Sequence, residues 1–235
     1  VHGVLGEYQE CYEVYEQMLT LSRSIKNTEY EIKALSGIGY VARMTGQLEA
    51  ALSYLDVATR LTREIENKSL EQQHLGLLGL VLFEMKQYEP ALDLHTQAYQ
   101  LAKSIDDEWS VGQHLGNLAN AHNALGNIGD AIEKMREALV VAKKFGRRRM
   151  IVSLTGNLGN SYRELGKHKQ AIEQYQEASQ LAQEMGDLLN LANWYNNLGV
   201  SYATIGKKKE AHEHYQKARR LYAQLNVDHM VQAVD

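Results

Sequence analysis

Apolar residues recur at steps of three and four along almost the whole chain, and the rhythm breaks at regular intervals. Over 150–165, Ile151, Leu154, Leu158, Tyr162 and Leu165 fall on one face of a predicted amphipathic helix. Gly166 follows at once, and a glycine just past a periodic stretch suits a left-handed helix cap. A second stretch then runs through Ala171, Ile172, Tyr175, Ala178, Leu181, Ala182 and Met185, and Gly186-Asp187 closes it. The predicted unit is helix, tight turn, helix, short loop.

That unit repeats every 40 residues. Gly39, Gly79, Ala119, Gly159 and Gly199 share one column, and Gly46, Lys86, Gly126, Gly166 and Gly206 a second. Ala51, Ala91, Ala131, Ala171 and Ala211 form a third, and Ala58, Ala98, Ala138, Ala178 and Ala218 a fourth. A fixed period of this size marks an all-α solenoid of antiparallel helix pairs in which no unit buries its own core. First helices are predicted near 30–45, 70–85, 110–125, 150–165 and 190–205. Second helices are predicted near 48–65, 88–105, 128–145, 168–185 and 208–225. A partial repeat (1–25) carries an unpaired second helix near 8–25, with Gly6 as the turn before it, and 228–235 is expected to start a further helix. The whole of 1–235 reads as one array, with full repeats at 30–65, 70–105, 110–145, 150–185 and 190–225. It begins inside its own pattern and is taken as a piece of a longer protein. Thr28 with Glu31, and Asn67 or Ser69, are helix-start signals, and Pro90 suits the first turn of a second helix. Lys86 stands alone among glycines in its turn column. A left-handed lysine costs roughly 1–2 kcal/mol, so that junction is expected to turn differently.

Composition narrows the classes. A hydrophobic content of 44% suits a folded protein, and no run nears the roughly 18 apolar residues that span a bilayer. The single cysteine forms no internal disulfide, which fits a cytoplasmic setting. Cys11 shares the column of Ala51 and is expected to be a small buried residue. The net charge of −4 conceals an asymmetry. Residues 1–117 hold 17 acidic and 9 basic groups, and residues 118–235 hold 12 acidic and 16 basic. An acidic partner would therefore favour the C-terminal half at low salt. The basic runs at 143–149 and 207–209 lack interleaved aromatics for stacking on bases, so no nucleic-acid partner is indicated.

Leu158-Gly159, Tyr162, Gly166, Ala171, Tyr175 and Ala178, and likewise Leu198-Gly199, Tyr202, Gly206, Ala211, Tyr215 and Ala218, resemble the tetratricopeptide (TPR) repeat signature. The commonest such unit has about 34 residues, so the longer period here is expected to lengthen helices rather than loops. Units of this length are similar to those of Pins-type spindle-orientation adaptors and of C-terminal arrays in bacterial signal-transduction NTPases of the STAND class. The resemblance implies a right-handed superhelix whose concave face, lined by first helices, binds peptides or protein segments. The chaperone-type carboxylate clamp of the family needs lysines where Gly116 and Gly156 stand, which argues against recognition of a free C-terminal carboxylate.

Catalytic and cofactor motifs are absent: no phosphate-binding G-x-x-x-x-G-K-[ST], no C-x-x-C, no H-E-x-x-H and no G-x-S-x-G. No cofactor or metal is expected. His212 and His214 lie two apart, on different helix faces, too divergent for zinc. The informative residues are polar ones opposite the core stripe of the first helices: Asn117, Asn120 and Asn123, then Asn157, Asn160 and Arg163, then Asn196 and Asn197. Asparagine is a mediocre helix former, so seven of them require a reason. An amide donates and accepts at once. These could hold the backbone of an extended ligand, or tie neighbouring first helices together. The column Ser36, Gly76, Gly116, Gly156 and Asn196 could leave a groove floor open, or let adjacent helices approach. In the N-terminal half the same face reads Tyr40, Leu77, Leu80 and Phe83, an apolar patch that would anchor a ligand or pack against a segment upstream of Val1. The function expected is a non-enzymatic protein-interaction module, with a protein or peptide segment, or another domain of the same full-length protein, as partner, and no membrane association. The alternative is a sensor array of a STAND-type NTPase or transcriptional regulator.

Overall fold

The computed structural model describes residues 2–227 and 230. Eleven helices follow one another among them: α1 (His2–Ser24), α2 (Thr28–Met44), α3 (Leu48–Glu64), α4 (Lys68–Glu84), α5 (Tyr88–Ser104), α6 (Glu108–Ala124), α7 (Ile128–Lys144), α8 (Arg148–Glu164), α9 (His168–Met185), α10 (Leu188–Thr204) and α11 (Lys208–Gln224). No strand occurs among the described residues. Two compact units are distinguished, Val1–Leu125 and Gly126–Asp235.

The backbone repeats twice as often as the sequence. Left-handed residues stand at 26, 46, 66, 86, 106, 126, 146, 166, 186, 206 and 226. Both kinds of junction, within a helix pair and between pairs, are therefore the same short turn. The residues beyond 34 per repeat have gone into the helices, most of which are 17 residues long. The turn at 166 closes its helix by backbone bonding: the Gly166 N–H donates to the Arg163 carbonyl and the Lys167 N–H to the Tyr162 carbonyl, both at 2.9 Å.

Lys86 turns as the glycines do, which corrects the expectation from sequence. Its φ is +61°. Its N–H donates to the Phe83 carbonyl and that of Gln87 to the Leu82 carbonyl, the same pair of bonds. The packed helices on either side hold the turn, and the lysine bears the strain. Lys86→Gly is accordingly expected to raise stability by about 0.5–1 kcal/mol, the relieved strain less the added freedom of the unfolded glycine. A lower denaturation midpoint in the variant would contradict this.

Other starts and ends shift from the predicted ones. Asn27, not Thr28, caps α2, its side chain accepting from the Tyr30 N–H; Glu31 is drawn instead to Arg23 at 2.8 Å. Asn67 caps α4 in the same way. α1 begins at His2 and runs through Gly6, so Gly6 is no turn. Nothing lies within 4 Å of where its Cβ would be, and the helix continues through it unhindered. Cys11 is exposed rather than buried, because no described helix lies on that side of α1 in the way α2 covers Ala51. The predicted further helix at 228–235 lies, apart from Met230, outside the described residues.

In unit 1, α2 packs on α3 and α4 on α5. In unit 2, α8 packs on α9 and α10 on α11. Alanines make the close approaches: Ala51, Ala58, Ala91 and Ala98 in the first unit, and Ala131, Ala138, Ala171, Ala178 and Ala218 in the second, have no exposed surface. At Ser36, Gly76 and Gly156 the small column on the first helices is filled by the next repeat rather than left open. A Cβ on Gly76 would lie 2.8 Å from the His114 ring, and one on Gly156 would lie 2.3 Å from the Trp194 ring. Ser36 meets His74 in the same way, with Oγ 2.7 Å from Nε2. These positions let neighbouring first helices approach.

The two units fill equivalent positions with different chemistry. Unit 1 uses histidine: His74, His95 and His114 are buried. His74 Nδ1 lies 3.0 Å from Thr62 Oγ1, and His114 Nε2 lies 2.6 Å from Gln72 Oε1. Gln72 Nε2 in turn reaches Ser110 Oγ at 3.2 Å. Unit 2 uses apolar and aromatic residues: Met135, Leu154, Tyr175 and Trp194, the last two stacked with centroids 6.1 Å apart.

Candidate functional site

The first helices turn their cores toward the second helices, and their opposite face is left to carry whatever recognition the fold supports. On α2 and α4 that face holds Tyr40, Arg43, Leu77, Leu80, Phe83 and Glu84. Tyr40 is 45% exposed, a large aromatic area for a residue outside any core. The Arg43 guanidinium lies 5.9 Å from the centre of its ring and bridges to Glu84 on the next first helix at 2.5 Å. Leu77, Leu80 and Phe83 are half-buried. Leu77 packs on the cluster of Ala51, Leu55, Leu78 and Val81, and Phe83 meets Tyr88 at 5.2 Å. A cleft of about 590 Å³ opens between α2 and α4, lined by Tyr30, Lys33, Ser36, Gln73, His74 and Leu77 among others. Of the four predicted anchors only Leu77 lines it; Tyr40, Leu80 and Phe83 lie along the same face outside the cleft.

The asparagines of α6, Asn117, Asn120 and Asn123, are half-buried on the corresponding face. In unit 2, Asn157, Asn160, Arg163, Asn196 and Asn197 are half-buried as well. Here the structure joins residues far apart in sequence. The Asn197 amide N–H donates to Asn160 Oδ1 at 3.1 Å, from one first helix to the next. Tyr175 on α9 donates its hydroxyl to the same oxygen at 2.7 Å. Arg163 Nη1 donates to Asn197 Oδ1 at 3.4 Å. Burial raises the Tyr175 hydroxyl to about 12, so it stays a donor throughout the ordinary pH range. Asn160 and Asn197 thus do tie neighbouring helices together.

The sequence matches the tetratricopeptide repeat family over residues 71–144 and 150–224, more than half of the chain. The chain belongs to the tetratricopeptide-repeat family. No curated protein matches it. Solved structures share the fold. BtubC from P. vanneervenii superposes with a TM-score of 0.82 at 18% identity, over 93% of this chain and 92% of that one. A STAND protein with a tetratricopeptide repeat sensor from Pyrococcus horikoshii gives 0.79 at 16% identity, over 96% of this chain but 35% of that one. A Rap protein complexed with Competence and Sporulation Factor gives 0.64 at 15% identity, over 95% and 72%.

Two features of this tetratricopeptide face escape a residue-by-residue reading of the sequence. The Arg43–Glu84 bridge is one; aligning the repeats and reading one position beyond a full period would have found it. The other is a pair of bonds from second helices to tyrosine hydroxyls of the following first helices, in which Arg136 Nη2 donates to Tyr162 at 2.6 Å and Gln176 to Tyr202 at 3.1 Å. His214, half of the doubtful histidine pair, stacks on Tyr202 at 5.3 Å and acts as a flat spacer, while His212 is exposed. No group of three metal-ligating side chains converges among the described residues, and no described helix is long and apolar enough to cross a membrane.

Proposed function

We propose that the chain is a non-enzymatic protein-interaction module that binds an extended or partly helical peptide segment along the outward face of its first helices, in a cytoplasmic setting. The observation that carries this is the exposed Tyr40 with the Arg43 guanidinium over its ring, on the first-helix face of unit 1 that also holds the half-buried Leu80 and Phe83. Tyrosine supplies a large contact area at low entropic cost, which is what an anchor needs. The apolar part of the ligand would rest on Tyr40, Leu77, Leu80 and Phe83. The polar part would lie on Asn117, Asn120 and Asn123 in unit 1, and in unit 2 Asn157, Asn160, Arg163, Asn196 and Asn197 would offer the same kind of face. Because the small column is filled by His114 and Trp194, the ligand lies on this face rather than in a deep channel. The Rap protein solved with Competence and Sporulation Factor supports the reading by shared fold.

Tyr40→Ala tests it. Against peptides selected on the wild-type chain from a displayed library, the variant should lose about 2 kcal/mol of affinity, as a central aromatic anchor does. Its stability should move by less than about 1 kcal/mol, since the side chain stands largely outside the core. Undiminished affinity for every selected peptide, or a library that yields none, would sink the proposal.

A second reading is favoured by one observation: this chain corresponds to about a third of the STAND protein it superposes on. A sensor array would use the same face to hold a trigger or its own catalytic domain. A phosphate-binding loop in the full-length sequence upstream of Val1 would favour it.

A further inference from the structure

We propose that Arg163 receives an acidic side chain, Asp or Glu, of the segment bound to the first-helix face; the inference rests on the peptide-binding reading and names the chemistry of one of its subsites. The first support is a comparison of equivalent positions. Arg43 and Arg163 occupy the same column three repeats apart. Arg43 is already neutralised, its Nη1 2.5 Å from Glu84, 41 positions on. The position 41 beyond Arg163 is Thr204, whose hydroxyl turns back to the Val200 carbonyl of its own helix at 2.9 Å. Among the described residues Arg163 has no carboxylate partner, and its one bond is the 3.4 Å contact to Asn197. Glu164 is next in the chain but occupies a different column, and adjacent residues of a helix do not face each other.

The second support is the direction of the hydrogen bonds around it. A guanidinium has donors and no acceptor. It therefore fixes the orientation of the Asn197 amide, whose oxygen must face it and whose N–H must point away. That N–H donates to Asn160 Oδ1, so the Asn160 oxygen is the acceptor there too, and it takes the Tyr175 hydroxyl besides. Asn160 Oδ1 takes two protein donors, and Asn197 Oδ1 faces the arginine. What remains for a ligand is mainly donors, the amide N–H groups of Asn160, the second N–H of Asn197 and the unused N–H groups of Arg163, a surface that carries positive charge. A carboxylate satisfies it; a neutral amide satisfies only part, and an ammonium group is repelled. Glu84 is the protein's own example of the group that belongs there. The excess of basic residues over 118–235 adds a field of the same sign.

The test uses nonapeptides with both ends blocked, so that no terminal carboxylate contributes. Each position in turn is fixed as Glu, Gln or Lys, and binding to the whole chain is read by fluorescence anisotropy. At one position Glu should outbind Gln by about tenfold or more, as expected when a charge-assisted bond replaces a neutral one, with Lys weakest. The preference should shrink at high salt. It should vanish in Arg163→Gln, and also in Thr204→Glu, which installs the counterpart of Glu84 and occupies the arginine from within. Thr204 is exposed and Arg163 makes a single long bond, so unchanged melting curves confirm that both variants are folded. A Glu preference that survives Arg163→Gln, or no position that prefers Glu to Gln, overturns this inference while leaving peptide binding standing. Absence of any peptide binding overturns both.

Discussion

Lowering the pH from 7 to 5 should remove about 4 kcal/mol of stability from the first unit and far less from the second. Burial pushes His95 down to about 3, with the nearby His114 a lesser cause, and His114 down to about 4, with Asp107 opposing. Both are thus neutral in the folded chain across this range. In the unfolded chain each titrates near 6.5. The unfolded state therefore binds more protons below that value, and stability falls as pH falls. The loss begins near pH 6.5 and continues until the folded group itself protonates, near 4 for His114 and 3 for His95. At pH 5 each histidine has cost about 2 kcal/mol. His74 is shifted in the same direction by burial and adds to the effect. In unit 2 the equivalent positions hold Met135, Leu154, Tyr175 and Trp194, which do not titrate in this window, so its loss comes from His214, half-buried and lowered chiefly by that burial. Trp109 lies in unit 1 and Trp194 in unit 2, so Trp109→Phe and Trp194→Phe leave one reporter in each, and denaturation midpoints at pH 7 and 5 follow the two separately. His95→Met with His114→Leu, which copies the later repeats, should flatten the first unit's pH slope. Equal slopes in the two units, or a slope untouched by that double substitution, would refute the assignment.

The helices were legible because two kinds of signal agreed: apolar steps of three and four, and glycines in register. Where one signal failed, the other prevailed. Lys86 lacks the glycine yet turns at +61°, because the helices flanking it are packed as in every other repeat. Gly6 supplies the glycine yet lies within a helix. The column of alanines was visible as a column, but the exposure of Cys11 was not, since it depends on which neighbour covers a helix rather than on the residue itself. The candidate site was half legible. The amides and Tyr40 stand out as residues that a merely solvated helix face would not use. Their partners do not: the bond from Tyr175 to Asn160 joins a second helix to a first across 15 positions, and nothing in either helix's own periodicity points to it.

Tyr175→Ala should be among the most damaging single substitutions in the second unit, lowering stability by about 3–5 kcal/mol. The side chain has no exposed surface. It fills the space beside Gly159, where a Cβ would lie 2.7 Å from its ring, and stacks on Trp194 at an interplanar angle of 18°. Removing the ring empties that space, and the neighbouring side chains are held by their own helices, so little can collapse into it. Tyr175→Phe separates the ring from the hydroxyl. It keeps the packing and the stack and removes only the donor to Asn160, whose oxygen retains the Asn197 N–H. The expected loss is about 1 kcal/mol, that of one hydrogen bond whose partner keeps another. The two variants should also differ in recognition. With phenylalanine the Asn160 amide keeps its link to Asn197, and ligand binding at Arg163 should persist. With alanine the support under Asn160 is gone, and binding there should weaken even in the fraction that remains folded. Paired denaturation and peptide titrations of the two variants measure both effects. A phenylalanine variant as unstable as the alanine variant would show that the hydroxyl bond, not the ring, holds this part of the array.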